Sequence, residues 1–199
     1  MTAVEVLTSF DEVRRYRIAE AVRTIVTELG YDLDDQHFLL TPERVAKVLT
    51  AFSATNADSA TPADILAAVF DDEHDALVQV GPIKVVSMCA HHMLPVTGWA
   101  WVGYIPDGKV CGISKLARIT HYFAHQYTVQ ERVTQQIANA LMDNLDPKGC
   151  MVVISATHGC MSVRGVEEPE AVTRTSAIRG VFRTEPDART EFLALMGMR

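Results

Sequence analysis

The run Ser87-Met88-Cys89-Ala90-His91-His92 holds a thiol and an imidazole, Cys89 and His92, separated by two residues. A thiolate and an imidazole at that spacing can reach one ion, and Zn²⁺ prefers such ligands. Two local donors do not make a site, so a third must come from elsewhere; His158-Gly159-Cys160 is the obvious source. A Cys/His/Cys set leaves a fourth position to water, as a catalytic zinc requires. The competing reading is buried free thiols and hydrogen-bonded core histidines. Two Cys-His clusters in a chain with only four cysteines favour the metal. Cys111 and Cys150 have no histidine within two residues and sit in apolar stretches, so both read as small buried hydrophobes.

A second group is Gly112-Ile113-Ser114-Lys115-Leu116-Ala117-Arg118. If Ser114 caps a helix, the free amides of the first turn face outward with Lys115 and Arg118 on one side. A helix N-terminus with two cations is an anion site. The plainer alternative is a capped helix with solvated charges, yet the cations stand where the helix dipole disfavours them, which tilts the reading toward phosphate. Gln130-Glu131 opens the next helix. The pair could read the donor edge of a guanine, though Glu in a first turn is favoured by the dipole alone. Arg164, Arg174, Arg179 and Arg183 punctuate the C-terminal segment; Arg164 is four residues past Cys160, where a cation would repel a metal unless an anion lay between them.

The elements that must position these residues follow from periodicity. Ser9 and Glu12 form a capping box for a first helix, carrying Val13, Ile18, Val22, Ile25, Val26 and Leu29 and stopping at Gly30. Thr41-Pro42 starts a second helix with Thr41 as its cap, and Thr61-Pro62 starts a third. Strands are expected over Ile83–Met88 and Gly98–Ile105, with Pro106-Asp107-Gly108 turning the chain back through Lys109–Ile113 as a β-hairpin. Helices follow from Ser114 to about Gln126 and from about Val129, the latter with Val133, Ile137, Leu141 and Leu145 on one stripe. Strands are expected at Cys150–Thr157, Met161–Val166 and Thr173–Arg183, and a last helix over Ala188–Met198. Segregated helices and strands indicate α+β rather than alternating βαβ.

Composition sets the remaining bounds. At 199 residues, 48% hydrophobic and 22% charged, the chain is an ordinary globular protein. A formal net charge of −7 gives no general attraction to nucleic acid or to an anionic membrane, so neither is expected as a partner. No apolar stretch is long enough to span a bilayer, and Met1–Asp11 lacks the features of a signal peptide. The expectation is a reducing cytoplasm, where cysteines beside histidines read as metal ligands before disulfides.

Taken together, Ser87–Pro95, Gly112–Arg118, Val129–Ile137, His158–Val166 and Thr175–Phe182 resemble GTP cyclohydrolase I, with Thr41–Lys47 similar to that family's N-terminal segment. The motifs run in family order from about Thr41 to the end. The resemblance implies a tunnelling fold: antiparallel strands, two long helices on one face, an N-terminal helical extension over 1–80 and a catalytic domain over 81–199. Subunits close a β-barrel, usually as a homodecamer of two pentamers, with active sites between them. It implies Zn²⁺ on Cys89, His92 and Cys160. It places His91 and His158 around the imidazole ring of GTP, with His158 protonating N7 and His91 relaying protons, and Ser114 at the ribose. Lys115, Arg118 and Arg164 match triphosphate- or ribose-binding positions, Arg44 and Lys47 match residues supplied by a neighbouring subunit, and Gln130 and Glu131 match the guanine-reading pair. The implied reaction opens the ring, releases formate and yields 7,8-dihydroneopterin triphosphate. Three departures stand out. Ala90 replaces the family's usual Glu beside the ligands, a change that can weaken metal affinity or rate; it leaves open a relative that binds GTP without completing the reaction. Ser162-Val163 replaces bulkier apolar residues, and Gln126-Tyr127-Thr128 stands where Arg and Pro are usual.

Overall fold

A computed structural model of the chain describes residues 10–53 and 60–197. They gather into two compact units, divided after Ser53.

The first unit pairs α1 (Phe10–Glu28) with α2 (Thr41–Ala51). Ala19, Val22 and Val26 of α1 and Ala46 of α2 are buried, while Ile25 and Leu29 stay exposed, so the apolar stripe is narrower than the sequence implies. Gly30 ends the helix region at φ 84°, a conformation that costs glycine little. Ser9, the expected cap of α1, lies outside the described residues. Thr41 does not cap α2: Leu40 holds that position without a side-chain bond, and Thr41 is already helical. The preceding turn causes this, because the Thr41 amide donates to the Phe38 carbonyl at 2.9 Å. Arg23 ties the helices by bonding Glu20 on its own helix and Glu43 on α2.

The second unit begins with α3 (Pro62–Leu66), where Thr61 and Asp64 form the expected reciprocal cap. Then come β1 (Val69–Asp71), β2 (Val78–Cys89), β3 (Pro95–Ile105), β4 (Lys109–Cys111), α4 (Ile113–Ala124), β5 (Tyr127–Thr128) and α5 (Gln130–Leu145). β6 (Gly149–His158), α6 (Gly159–Ser162), β7 (Thr173–Gly180), α7 (Val181–Thr184) and α8 (Pro186–Leu195) complete it. The main sheet runs β5-β2-β3-β6-β7. Its pairings are antiparallel except β5 with β2, which is parallel because the α4 crossover returns the chain in β2's direction, so the sheet is mixed.

Two expected strands are corrected. β4 forms no hairpin with β3; it pairs with β1 in a separate two-stranded sheet. β3 has no edge to offer, since β2 and β6 flank it up to Tyr104 and Ile105. The stretch expected as a strand over Met161–Val166 is instead the end of α6 and a turn, closed by the Val163 amide on the Gly159 carbonyl at 3.1 Å.

The core lies between the sheet and α4 and α5, both of which pack on one face. Leu116 and Ile119 of α4 and Ile137 and Leu141 of α5 are fully buried with Ala100, Val102, Val152 and Ile154. Burying each large aliphatic contributes about 1.5–3 kcal/mol. β6 is apolar from Cys150 to Ile154 because both faces are covered there: Cys150, Val152 and Ile154 join the α4–α5 core, and Met151 and Val153 join Phe182, Ala188 and Phe192. No helix among the described residues is long and apolar enough to cross a membrane.

Candidate active site

The register of three strands decides what meets at one end of the sheet. Val96, at the start of β3, is flanked by Ser87 near the end of β2 and by His158 at the end of β6. β2 finishes in Cys89, and β6 runs straight into α6, which carries Cys160. Residues remote in sequence are thus delivered side by side. A tight turn folds His92 back on Cys89: the Cys89 amide donates to the Leu94 carbonyl and the Met93 amide to the Cys89 carbonyl, each at 2.8 Å.

Ligand atoms of Cys89, His92 and Cys160 all lie within 4.8 Å of one another. Cys89 Sγ is 3.7 Å from His92 Nδ1. Cys89 is buried, Cys160 half-buried and His92 exposed, so the group is open on the imidazole side. Burial pushes the Cys160 thiol up, and its contact with Cys89 acts in the same direction, while the Arg164 charge opposes both. Two soft thiols and one imidazole suit a cation such as Zn²⁺, which displaces their protons on binding. Arg164 reaches the same group, with Nη1 2.6 Å from His92 Nε2.

His158 stands beside this cluster. Its Nε2 is 2.9 Å from Gln130 Oε1 at the start of α5. Burial holds its pKa below the ordinary imidazole value, and the Glu131 carboxylate partly offsets this. The His91 ring stands edge-on to His92 at 6.2 Å and is exposed. β5 anchors the whole end: the Met88 amide donates to Gln126 and the Ala90 amide to Thr128, at 3.0 and 3.1 Å.

A family model of GTP cyclohydrolase I matches residues 18–197. The chain belongs to the GTP cyclohydrolase I family. A GTP cyclohydrolase 1 from Chlorobaculum tepidum is 48% identical over 181 residues, 90% of this chain and 80% of that protein. Those from Mycolicibacterium gilvum and Carboxydothermus hydrogenoformans are 46% and 45% identical, over 90% and 93% of this chain and 89% and 96% of theirs. A solved archaeosine synthase QueF-like chain overlaps 55% of this one at 13% identity and a TM-score of 0.42, which carries no weight here.

Of the residues that the GTP cyclohydrolase I resemblance singles out, the structure brings together Cys89, His92, Cys160, Arg164, His91, His158 and Gln130. Glu131 follows directly and is exposed. Ser114 and Lys115 lie in the first turn of α4 and Arg118 in the second; among the described residues no hydrogen bond or ion pair joins them to the cluster. Contrary to the expectation from sequence, Ser114 does not cap α4. Gly112 holds that position, with the Lys115 amide on its carbonyl at 2.8 Å, and the Ser114 side chain is exposed within the turn. Arg44 and Lys47 are exposed on α2 of the first unit.

Gln130 departs furthest from its expected role. It is only 5% exposed, and its carboxamide is engaged within the chain rather than turned outward to a base. Thr134 and Thr175, which complete its surroundings, were not singled out from sequence. A signal existed: Gln130 falls at i−3 and i−7 from Val133 and Ile137, on the inward stripe of α5.

Proposed function

We propose that the chain opens the imidazole ring of GTP hydrolytically, releases formate and yields 7,8-dihydroneopterin triphosphate. The observation that carries this reading is the convergence of Cys89, His92 and Cys160 beside His158. Zn²⁺ is assigned to the three ligands, where it supplies a Lewis acid and an activated water. His158 passes a proton to N7 of the base, and His91, exposed at the rim, relays protons to and from solvent. Glu131 accepts from the guanine N–H groups; adenine would leave that carboxylate without donors. Ser114 is assigned to the ribose. Lys115, Arg118 and Arg164 hold the triphosphate, which fixes the base without reacting. Arg44 and Lys47 are assigned to a neighbouring subunit's site, in a homodecamer built from the tunnelling fold and working in the cytoplasm.

The relatives named GTP cyclohydrolase 1, at 44–48% identity, support the substrate. Ala90 favours a second reading, since it lacks the carboxylate usual beside the ligands: a protein that binds GTP and halts before product. One experiment separates them. Zinc-loaded protein is incubated with GTP, and formate and the fluorescent pterin formed on oxidation are both assayed. Formate with pterin is the expected result; tight GTP binding with neither product overturns it.

A further inference from the structure

We propose that Gln130 is a positioning residue that locks the His158 ring and keeps a hydrogen on Nε2, leaving Nδ1 as the nitrogen that meets the substrate. The proposal rests on the function assigned above to His158, but its geometry stands independently.

The direction of each hydrogen bond can be worked out from groups that only accept. The Gln130 side-chain nitrogen lies 3.1 Å from the Ile154 carbonyl and 3.1 Å from the Thr173 carbonyl. Two carbonyls together fix that end of the side chain as the NH₂ group. The other end, Oε1, is therefore the atom 2.9 Å from His158 Nε2. An amide oxygen only accepts, so Nε2 of His158 must carry a hydrogen and donate it.

The hydroxyls around the amide agree with this direction. Thr134 donates to the Gln130 carbonyl at 2.8 Å, which spends its one hydrogen. Its oxygen then accepts from Thr175 at 2.7 Å, and the Thr175 oxygen, 3.1 Å from the Gln130 nitrogen, shares one of the two NH₂ hydrogens with a carbonyl. Turning the amide over would face Oε1 to two carbonyls in a buried place, a repulsion that water does not relieve. The clamp spans α5, β6 and β7, and Ile154 and Thr175 are direct partners across the two strands. It is therefore as rigid as the sheet.

His158 sits at the tip of β6, two residues before Cys160, and among the described residues its ring is hydrogen-bonded only to Gln130. With Nε2–H committed to Gln130, His158 gives a proton to the base only after Nδ1 has taken one up from solvent through the His91 relay; that proton leaves from Nδ1, and Nε2–H stays on the amide throughout. The neutral ring is thus held as the Nε2–H tautomer before substrate arrives. Gln130 touches the histidine and not the base, so the guanine edge falls to Glu131 alone.

The test uses the full-length, zinc-loaded protein with ¹⁵N-labelled histidine and magic-angle-spinning NMR, without GTP. The expected spectrum gives His158 a pyrrole-type Nε2 and a pyridine-type Nδ1, assigned by comparison with H158N; the opposite tautomer overturns the proposal whatever the activity. Q130M is then compared with wild type. The expected result is a mixed tautomer signal and a kcat lower by about 10–100-fold, with GTP Kd within about twofold and zinc content unchanged. A weaker GTP Kd with kcat unchanged would make Gln130 a substrate contact and overturn it as well. If Q130M does not fold, the wild-type spectrum decides alone. Absence of formate release in wild type, with the expected spectrum, would sink the assigned reaction and leave the clamp intact.

Discussion

Nη1 of Arg164 lies 2.6 Å from Nε2 of His92, so a permanent cation abuts the one imidazole of the Cys89–His92–Cys160 group. A guanidinium only donates, which makes Nε2 the acceptor and leaves Nδ1 on the side of Cys89. A cation at that point opposes a bound metal ion and attracts an anionic ligand. Arg164→Ala is expected to raise GTP Kd by about 10–100-fold, as for a lost charge-assisted contact. Zinc affinity is expected to hold or rise slightly, the exposed charge being screened by salt. Calorimetry with GTP and a competitive zinc titration measure the two; a loss of zinc affinity would reject the assignment.

Cys160→Ala removes the ligand that the end of β6 delivers. Zinc content measured by atomic absorption is expected to fall from about one ion per chain to almost none, because two donors hold Zn²⁺ poorly. Formate release is expected to vanish with it. Turnover in metal-free protein would defeat the reading.

Glu131→Ala separates recognition from metal binding. GTP Kd is expected to rise by about 10–100-fold, and discrimination against ATP to shrink, with zinc content unchanged. Equal affinity of variant and wild type for GTP would show that another group reads the base.

The four cysteines are expected to divide by reactivity. Burial raises the Cys111 thiol and pushes Cys150 up to about 12, so both stay protonated and unreactive at neutral and mildly alkaline pH. Iodoacetamide followed by mass spectrometry should label neither in native protein. Removing zinc should expose the half-buried Cys160 to the reagent, and denaturation should expose all four. Labelling of Cys150 in the native state would contradict its burial in the α4–α5 core.

The residues legible in sequence were those whose neighbours are local. Cys89 and His92 are fixed by one tight turn, and the Thr61–Asp64 cap by one helical turn, so spacing alone indicated both. Cys160 was legible as a donor because only one other Cys-His cluster exists. What sequence did not show depended on partners far along the chain. β4 looked like the return of a hairpin because the Pro106–Gly108 turn is a local signal, whereas the occupation of both edges of β3 is not. Ser114 looked like a cap by residue type, and Gly112 took the place because the chain enters α4 two residues earlier. Met161–Val166 has strand-like composition, but the chain turns there through α6, next to the ligand it carries. Gln130 resembled a surface recognition residue until β6 and β7 supplied the carbonyls that engage it.

β6 acts as a ruler. It holds two different cores on its alternating faces and ends in His158, with Cys160 just beyond. Adding or removing one residue between Gly149 and His158 would exchange those faces, carry the imidazole away from Gln130 and break the meeting of the thiols. Variation in this strand is therefore confined to exchanging one side chain for another of similar bulk, and its length is the quantity that descent within such a lineage must preserve.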